Sequence, residues 1–246
     1  VPFTVADVPH LPAGFSDTFT SHTVETTELT LHAVVGGDGP PLLLLPGWPQ
    51  FWYSWRLVMP ALAEHFTVIA PDLRGMGASD KPATGYDAAR LADDTAELMT
   101  ALGHDRFAVV GYDLGMLVGY ALAAGHRDRV TRFVGAESIL PGLSPSPPLL
   151  SDPATNEFLW HFAFNRLADI NERMVAGREE IYFGHTFTSK TADPPSRSTS
   201  STSTSTSCAT WTPCAPASST TGPSTPPPST SCGGATRGRC PSRSWR

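Results

Sequence analysis

The chain has 246 residues, 40% of them hydrophobic and 9% aromatic, enough for one domain with a substantial core, so disorder throughout is excluded. A formal net charge of -6 offers no basic surface for phosphates or anionic lipid, and nucleic acid is not an expected partner. No run approaches the roughly 18 consecutive apolar residues of a membrane span, so no membrane partner is expected either.

In chain order, the N-terminal stretch to Asp17 has neither a basic n-region nor an apolar h-region. The first residue is Val1 rather than Met, so an export signal before it would not be seen; a cytoplasmic setting is favoured and secretion stays open. Val24 to Val35 alternates as an antiparallel edge strand or hairpin would. Leu42 to Leu45, Phe66 to Ala70, Phe107 to Val110 and Val130 to Val134 are short, nearly unbroken apolar runs, the pattern of buried parallel strands. Amphipathic stretches with helical spacing lie between them: Trp55 to Glu64, Ala88 to Leu102 and Leu114 to Ala124. Strand alternating with helix implies an α/β fold with a doubly wound, mostly parallel sheet. A Pro-rich connection, Pro141 to Pro148, leads to Asn156 to Phe187, which reads as helices carrying exposed-looking aromatics and suits an inserted lid. The expected organisation is a core over 1–138, a partial helical lid over 139–190 and a tail over 191–246.

The tail differs in kind. From Thr191 to Arg246 there is no Leu, Ile, Val, Phe, Met or Tyr, nearly half the residues are Ser or Thr, and all four cysteines lie there. Such a segment cannot build a core. A mucin-like stalk, a small disulfide unit and an out-of-frame translation are the competing readings. The spacings of Cys208, Cys214, Cys232 and Cys240 match no zinc pattern, and a disulfide knot would have nothing apolar to enclose. No metal or cofactor is called for.

The chemistry is concentrated at G-Y-D-L-G, Gly111 to Gly115, directly after the strand and directly before a helix. A residue at such a turn is held on a sharp bend, with glycines on either side giving clearance, and its side chain projects above the sheet. Asp113 occupies that place. A carboxylate is a poor attacker of carbonyls, but it can displace a leaving group from an sp3 carbon to give an ester that water then hydrolyses. The bland alternative makes Asp113 a helix N-cap in a chance pentapeptide.

These motifs are not isolated. P-G-W-P-Q-F-W-Y-S-W-R (Pro46 to Arg56), P-D-L-R-G-M-G-A-S-D-K-P (Pro71 to Pro82), A-L-G-H-D-R-F-A-V-V-G-Y-D-L-G (Ala101 to Gly115) and W-H-F-A-F-N follow in order. Residues 20 to 190 thereby resemble the epoxide hydrolase and haloalkane dehalogenase branch of the α/β-hydrolase family. The resemblance implies that Asp113 is the nucleophile and that the backbone N–H groups of Trp48 and Leu114 form an oxyanion hole. Pro46 stands where the family usually has His, which reshapes the loop without removing those donors. The implied substrate is a small apolar epoxide or halide, with Pro49, Trp160, His161 and Phe162 lining its pocket. Tyr182 is the in-frame lid candidate for protonating an epoxide oxygen. In related dehalogenases a His and a following Trp cradle the halide; here Phe162 follows His161 and offers no N–H. Leu114 and Leu117 stand where fluoroacetate dehalogenases carry arginines, which argues against fluoroacetate.

Other polar residues read as structural. Asp72, Arg74, Gly75, Gly77, Ser79 and Asp80 form a turn-rich loop after a strand, and His104 and His126 sit at helix ends. The family's acid follows the next core strand and its water-activating His comes near the C-terminus. Here no His follows His185, and Asp193 is the sole acidic residue after Glu180, so the triad cannot be completed in that order.

Codon arithmetic accounts for the tail. Read across codon boundaries, a residue followed by a TCN serine becomes Phe, Leu, Ile or Val, and one followed by Thr becomes Asp, His, Asn or Tyr. With G or C as third base, Thr206 to Ala217 permits V-L-R-D-V-D-A-L-R-A-G, and Pro228 to Arg246 permits V-D-V-L-R-R-R-D-A-G-A-L-P-V-P-V-L-A. These are a polar-apolar helical pattern and then a buried strand. A frameshift near Thr191 is therefore the expected origin of the tail, and the expected activity is that of an epoxide hydrolase-like parent, with a dehalogenase as alternative. A non-catalytic secreted protein with an O-glycosylated stalk is the reading from a different class.

Overall fold

The structure is a computed structural model that describes residues 4–146, 148, 151–167 and 169–190. The Ser/Thr/Pro-rich tail lies outside the described residues. A six-stranded sheet runs in the order β1-β2-β4-β3-β5-β6, from β1 (Phe19–Glu25), β2 (Thr30–Gly36), β3 (Pro41–Leu45), β4 (Thr67–Pro71), β5 (Phe107–Tyr112) and β6 (Val130–Ala136). β1 and β2 form an antiparallel hairpin, and β2 joins β4 antiparallel. The pairs β3–β4, β3–β5 and β5–β6 are parallel. The expected edge hairpin is present, with its first strand starting earlier, at Phe19.

Alternation along each strand sorts the core into two layers. Leu43 and Leu45 of β3, with Ile69, Phe107 and Val109, pack against α3 (Ala88–Ala101) and α4 (Leu114–Gly125) through Leu98, Met99, Val118 and Leu122. Leu42 and Leu44 point the other way, joining Phe15 of α1 (Phe15–Thr18), Phe19, Val68, Trp52 and Met59. β3 and β4 read as continuous apolar runs because both faces are covered, whereas β6, expected as a buried strand over Val130 to Val134, is largely exposed at the sheet edge.

The sequence differs from the structure over Trp55 to Glu64. A 3-10 turn, Trp52–Trp55, precedes a short α2 (Met59–Ala63), and Pro60, which lacks an N–H, is tolerated only because it stands in the first helical turn. At the other end β6 is the sheet edge, and Val134 is 58% exposed. Beyond it lie three helices, α5 (Pro153–Asn165), α6 (Ile170–Val175) and α7 (Glu179–Thr188). The Asp152 carboxylate caps α5 by accepting from the N–H groups of Ala154 and Thr155, both at 3.1 Å. No helix among the described residues is long and apolar enough to cross a membrane.

Candidate active site

The bend between β5 and α4 carries Asp113 at φ 53° and ψ -121°, a conformation that costs a non-glycine residue energy and persists only where its surroundings enforce it. The enforcement is steric. A Cβ on Gly111 would collide with the Gly115 backbone, and one on Gly115 with the carbonyl of Leu45. The Asp113 N–H donates to the Ala136 carbonyl at 3.1 Å, fixing the bend to the end of β6.

The Asp113 side chain is held from two directions. Oδ1 accepts the Leu114 N–H at 2.7 Å and the Trp48 N–H at 2.9 Å. The first contact is local and resembles a cap; the second reaches over from the loop after β3. Oδ2 has no hydrogen-bond partner among the described residues. Gly47 permits the approach, since a Cβ there would lie 2.9 Å from Asp113 Cβ and 2.8 Å from the Tyr112 ring. Pro46 is buried beside it. The Tyr112 hydroxyl donates to Gln50 Oε1, tying the two loops together, and burial pushes its pKa up, favouring the neutral donor.

Above this carboxylate the Trp48 indole packs against the helices that follow β6. It stacks on His161 at 6.4 Å between centroids and meets Phe183 at 5.9 Å and Tyr182 at 6.3 Å. Trp160 joins that cluster through Tyr182 and Phe164, and its buried indole N–H has no partner among the described residues. His161 is buried, and desolvation, with the Lys190 charge adding to it, lowers its pKa to about 4. The ring is neutral near pH 7. The Lys190 ammonium lies 3.2 Å from His161 Nδ1 and 3.1 Å from Nε2.

Two residues expected at the site, Tyr182 and Phe162, are placed in this layer. The Tyr182 hydroxyl donates to Asn165 Oδ1 at 2.6 Å and the ring is buried. Burial pushes its pKa up, so the hydroxyl is a neutral donor to Asn165 within the helical layer. Phe162 is 50% exposed, on the outer side of α5, because the helical turn that buries His161 rotates its neighbour outward. Pro49 is half-buried next to Trp48, and Leu114 is buried at the start of α4.

The loop after β4 is held by internal contacts. Arg74 binds Asp94 through Nε at 2.6 Å and Nη2 at 2.7 Å, with both side chains 3% exposed. Asp72 accepts the N–H groups of Trp52 at 3.0 Å and Ala78 at 2.9 Å. It also faces His32 Nδ1 at 2.9 Å, while His32 Nε2 faces Ser21 Oγ at 3.0 Å. This Ser21–His32–Asp72 line has the order of a hydrolytic triad, but the Val5 N–H caps the serine and Asp72 serves as a loop clamp. Among the described residues no cluster of His, Cys, Asp or Glu could hold a metal ion.

Sequence reasoning missed Glu137. It follows β6 at φ 54°, one residue beyond the carbonyl that receives the Asp113 N–H. A charged residue at the carboxyl end of a parallel strand was the available signal.

Residues 40–216 match the family model described as alpha/beta hydrolase fold. The chain belongs to that family. Among its relatives is the soluble epoxide hydrolase of Corynebacterium sp. (strain C12), 49% identical over 128 residues, which are 52% of this chain and 44% of the relative. The fluoroacetate dehalogenase of Burkholderia sp is 44% identical over 117 residues, 46% of this chain and 38% of the relative. The chain therefore spans less than half the length of these two relatives. Among solved structures, wild-type Cfl2 from Burkholderia cenocepacia superposes with a TM-score of 0.70 at 34% identity, over 79% of this chain and 65% of that one. The epoxide hydrolase CorEH without ligand gives 0.63 at 39% identity, over 69% and 60%.

Proposed function

We propose that this α/β hydrolase chain is built for ester-forming hydrolysis of a small apolar epoxide, with Asp113 as nucleophile. The observation that carries the reading is the pair of N–H donors on one Asp113 oxygen. Oδ1, fixed at 2.7 and 2.9 Å, is positioned to become the carbonyl oxygen of the ester, while Oδ2 attacks carbon. When water attacks that ester, negative charge develops on the oxygen the two donors already hold, so no reorganisation is needed. One N–H pair serves both halves of the reaction.

Glu137 is the acid we assign to orient a water-activating His. It leaves the sheet beside the nucleophile, and its conformation is one that functional sites use to aim a side chain. Within the given sequence no His follows His185 to fill that role. The reading that follows is a chain able to form the ester and unable to hydrolyse it at an enzymatic rate, with 1–138 as core, 139–190 as lid and 191–246 as a segment translated out of frame.

A halide leaving group is the second reading. The buried Trp160 indole N–H, without an acceptor among the described residues, favours it as a donor to an anion.

Intact-mass measurement after incubation with an epoxide tests the main reading. A single stable adduct is expected, mapping to Asp113 and absent from Asp113→Asn. Adducts that persist in that variant would overturn it.

A further inference from the structure

We propose that Lys190 is the proton donor to the leaving oxygen of an epoxide bound over Asp113, with His161 as its positioning residue. The inference rests on Asp113 being the nucleophile and adds the group that the committed Tyr182 hydroxyl leaves unfilled.

Lys190 follows the last turn of α7 and sends its ammonium back over the helical layer. Nζ lies within hydrogen-bonding distance of both ring nitrogens of His161 and 4.7 Å from the centre of the Phe158 ring. His161 is buried and stacked on Trp48, whose own N–H holds Asp113. Trp48 thus touches the nucleophile through its backbone and, through its indole, the ring against which the ammonium lies. A neutral imidazole has one nitrogen without hydrogen in either tautomer, and the ammonium stands within 3.2 Å of both, so it contacts that nitrogen whichever tautomer is present. The aromatic face of Phe158 adds a second attraction that fixes the cation.

The charge balance suits the chemistry. Desolvation lowers the Lys190 pKa and so strengthens it as an acid, while the Asp113 carboxylate opposes the shift by favouring the ammonium. The step is self-contained. Asp113 Oδ2 forms a bond to a ring carbon, the C–O bond breaks with its electron pair passing to oxygen, and that oxygen takes a proton from Lys190. The resulting amine regains its proton from water. The neutralisation of Asp113 on esterification removes the charge that favoured the ammonium, so proton release and ester formation assist each other.

The test compares adduct formation at Asp113 with styrene oxide and with 1-bromobutane, whose bromide leaves without a proton. Lys190→Met should slow the epoxide adduct at least tenfold and change the bromobutane adduct less than twofold. Lys190→Arg, which keeps the charge and cannot release the proton, should not restore the epoxide rate. Equal slowing of both reagents, no slowing, or full rescue by Arg would overturn the proton-donor role. No adduct with either reagent on the unmodified chain overturns the nucleophile reading, and this inference with it. A second measurement needs no substrate. The chain has two lysines, Lys81 and Lys190, so amine acetylation can be followed for each by peptide mass. Asp113→Asn should raise acetylation of Lys190 near neutral pH at least twofold and leave Lys81 unchanged, and an unchanged Lys190 would show that the ammonium lies outside the site.

Discussion

The Trp48 amide and the Asp113 carboxylate are joined by a 2.9 Å hydrogen bond across 65 residues of sequence. A helix cap needs only the Leu114 contact; the reach from a second loop converts the cap into an oriented carboxylate. If Asp113 is the nucleophile, turnover is not expected, since the sequence has no His after His185 to activate water on the ester. Consumption of an epoxide or haloalkane should stop at one equivalent per chain. Repeated turnover well above the buffer rate would contradict this.

If residues 191–246 are read out of frame, a chain restored from about Thr191 and extended by the family's later strands should give multiple turnovers, with diol formed faster than halide is released. Leu114 and Phe162 supply no halide donor, and Phe162 points outward. In that restored protein Glu137→Gln should lower kcat by roughly 10²- to 10⁴-fold with substrate binding little changed, as when the orienting carboxylate of a triad is neutralised. A Gln variant with normal kcat would remove Glu137 from the reaction.

The buried Arg74–Asp94 pair predicts a stability defect with no catalytic component. Asp94→Ala leaves a guanidinium 3% exposed and stripped of its bidentate partner, with Glu28 at 3.6 Å as a solvent-exposed remnant. Loss of a buried partner costs about 3 to 5 kcal/mol. Denaturant unfolding of the restored protein should register that loss, while the Asp113 adduct rate per folded molecule stays the same.

The helical layer should weaken in mild acid. His161 titrates at 6.5 in an unfolded chain and at about 4 in the fold, so the unfolded state binds the extra proton between those values. Stability is intact above about pH 6.5, falls by up to about 3 kcal/mol as pH drops toward 4, and levels off below. Limited proteolysis of residues 153–188 should accelerate across that window, and His161→Phe should remove the dependence.

The free edge of β6 predicts a chain that is prone to association. Val134 is 58% exposed, and the outer backbone groups of β6 have no neighbouring strand among the described residues. At roughly 25 cal/mol per Å², a few hundred Å² of uncovered apolar surface is comparable to the net stability of a domain, about 5 to 15 kcal/mol. Hydrophobic dye binding and a broad melt are expected. A soluble monomer with a sharp melt and a protease-resistant tail would instead make the tail a real structural element.

The strands and the elbow were legible in the sequence because their causes are local. Leu42 to Leu45 is apolar without interruption since both faces of β3 are covered, and Gly111 and Gly115 are required by backbone contacts within one turn of Asp113. The helical segment after β6 was legible as helical for the same reason. Its side-chain roles were not. Periodicity along α5 does not fix the rotation of that helix over the core, so Phe162 read as pocket lining although packing turns it to solvent. Tyr182 read as a free donor because its partner Asn165 sits 17 residues away on another helix. Lys190 carried no motif at all, and only the return of α7 toward α5 brings its ammonium to His161. The sequence alone singled out Asp113 at the elbow; the two N–H groups that hold its carboxylate, and the backbone bond that ties it to the end of β6 before Glu137, were decided by contacts between segments far apart in the chain, which no local pattern encodes.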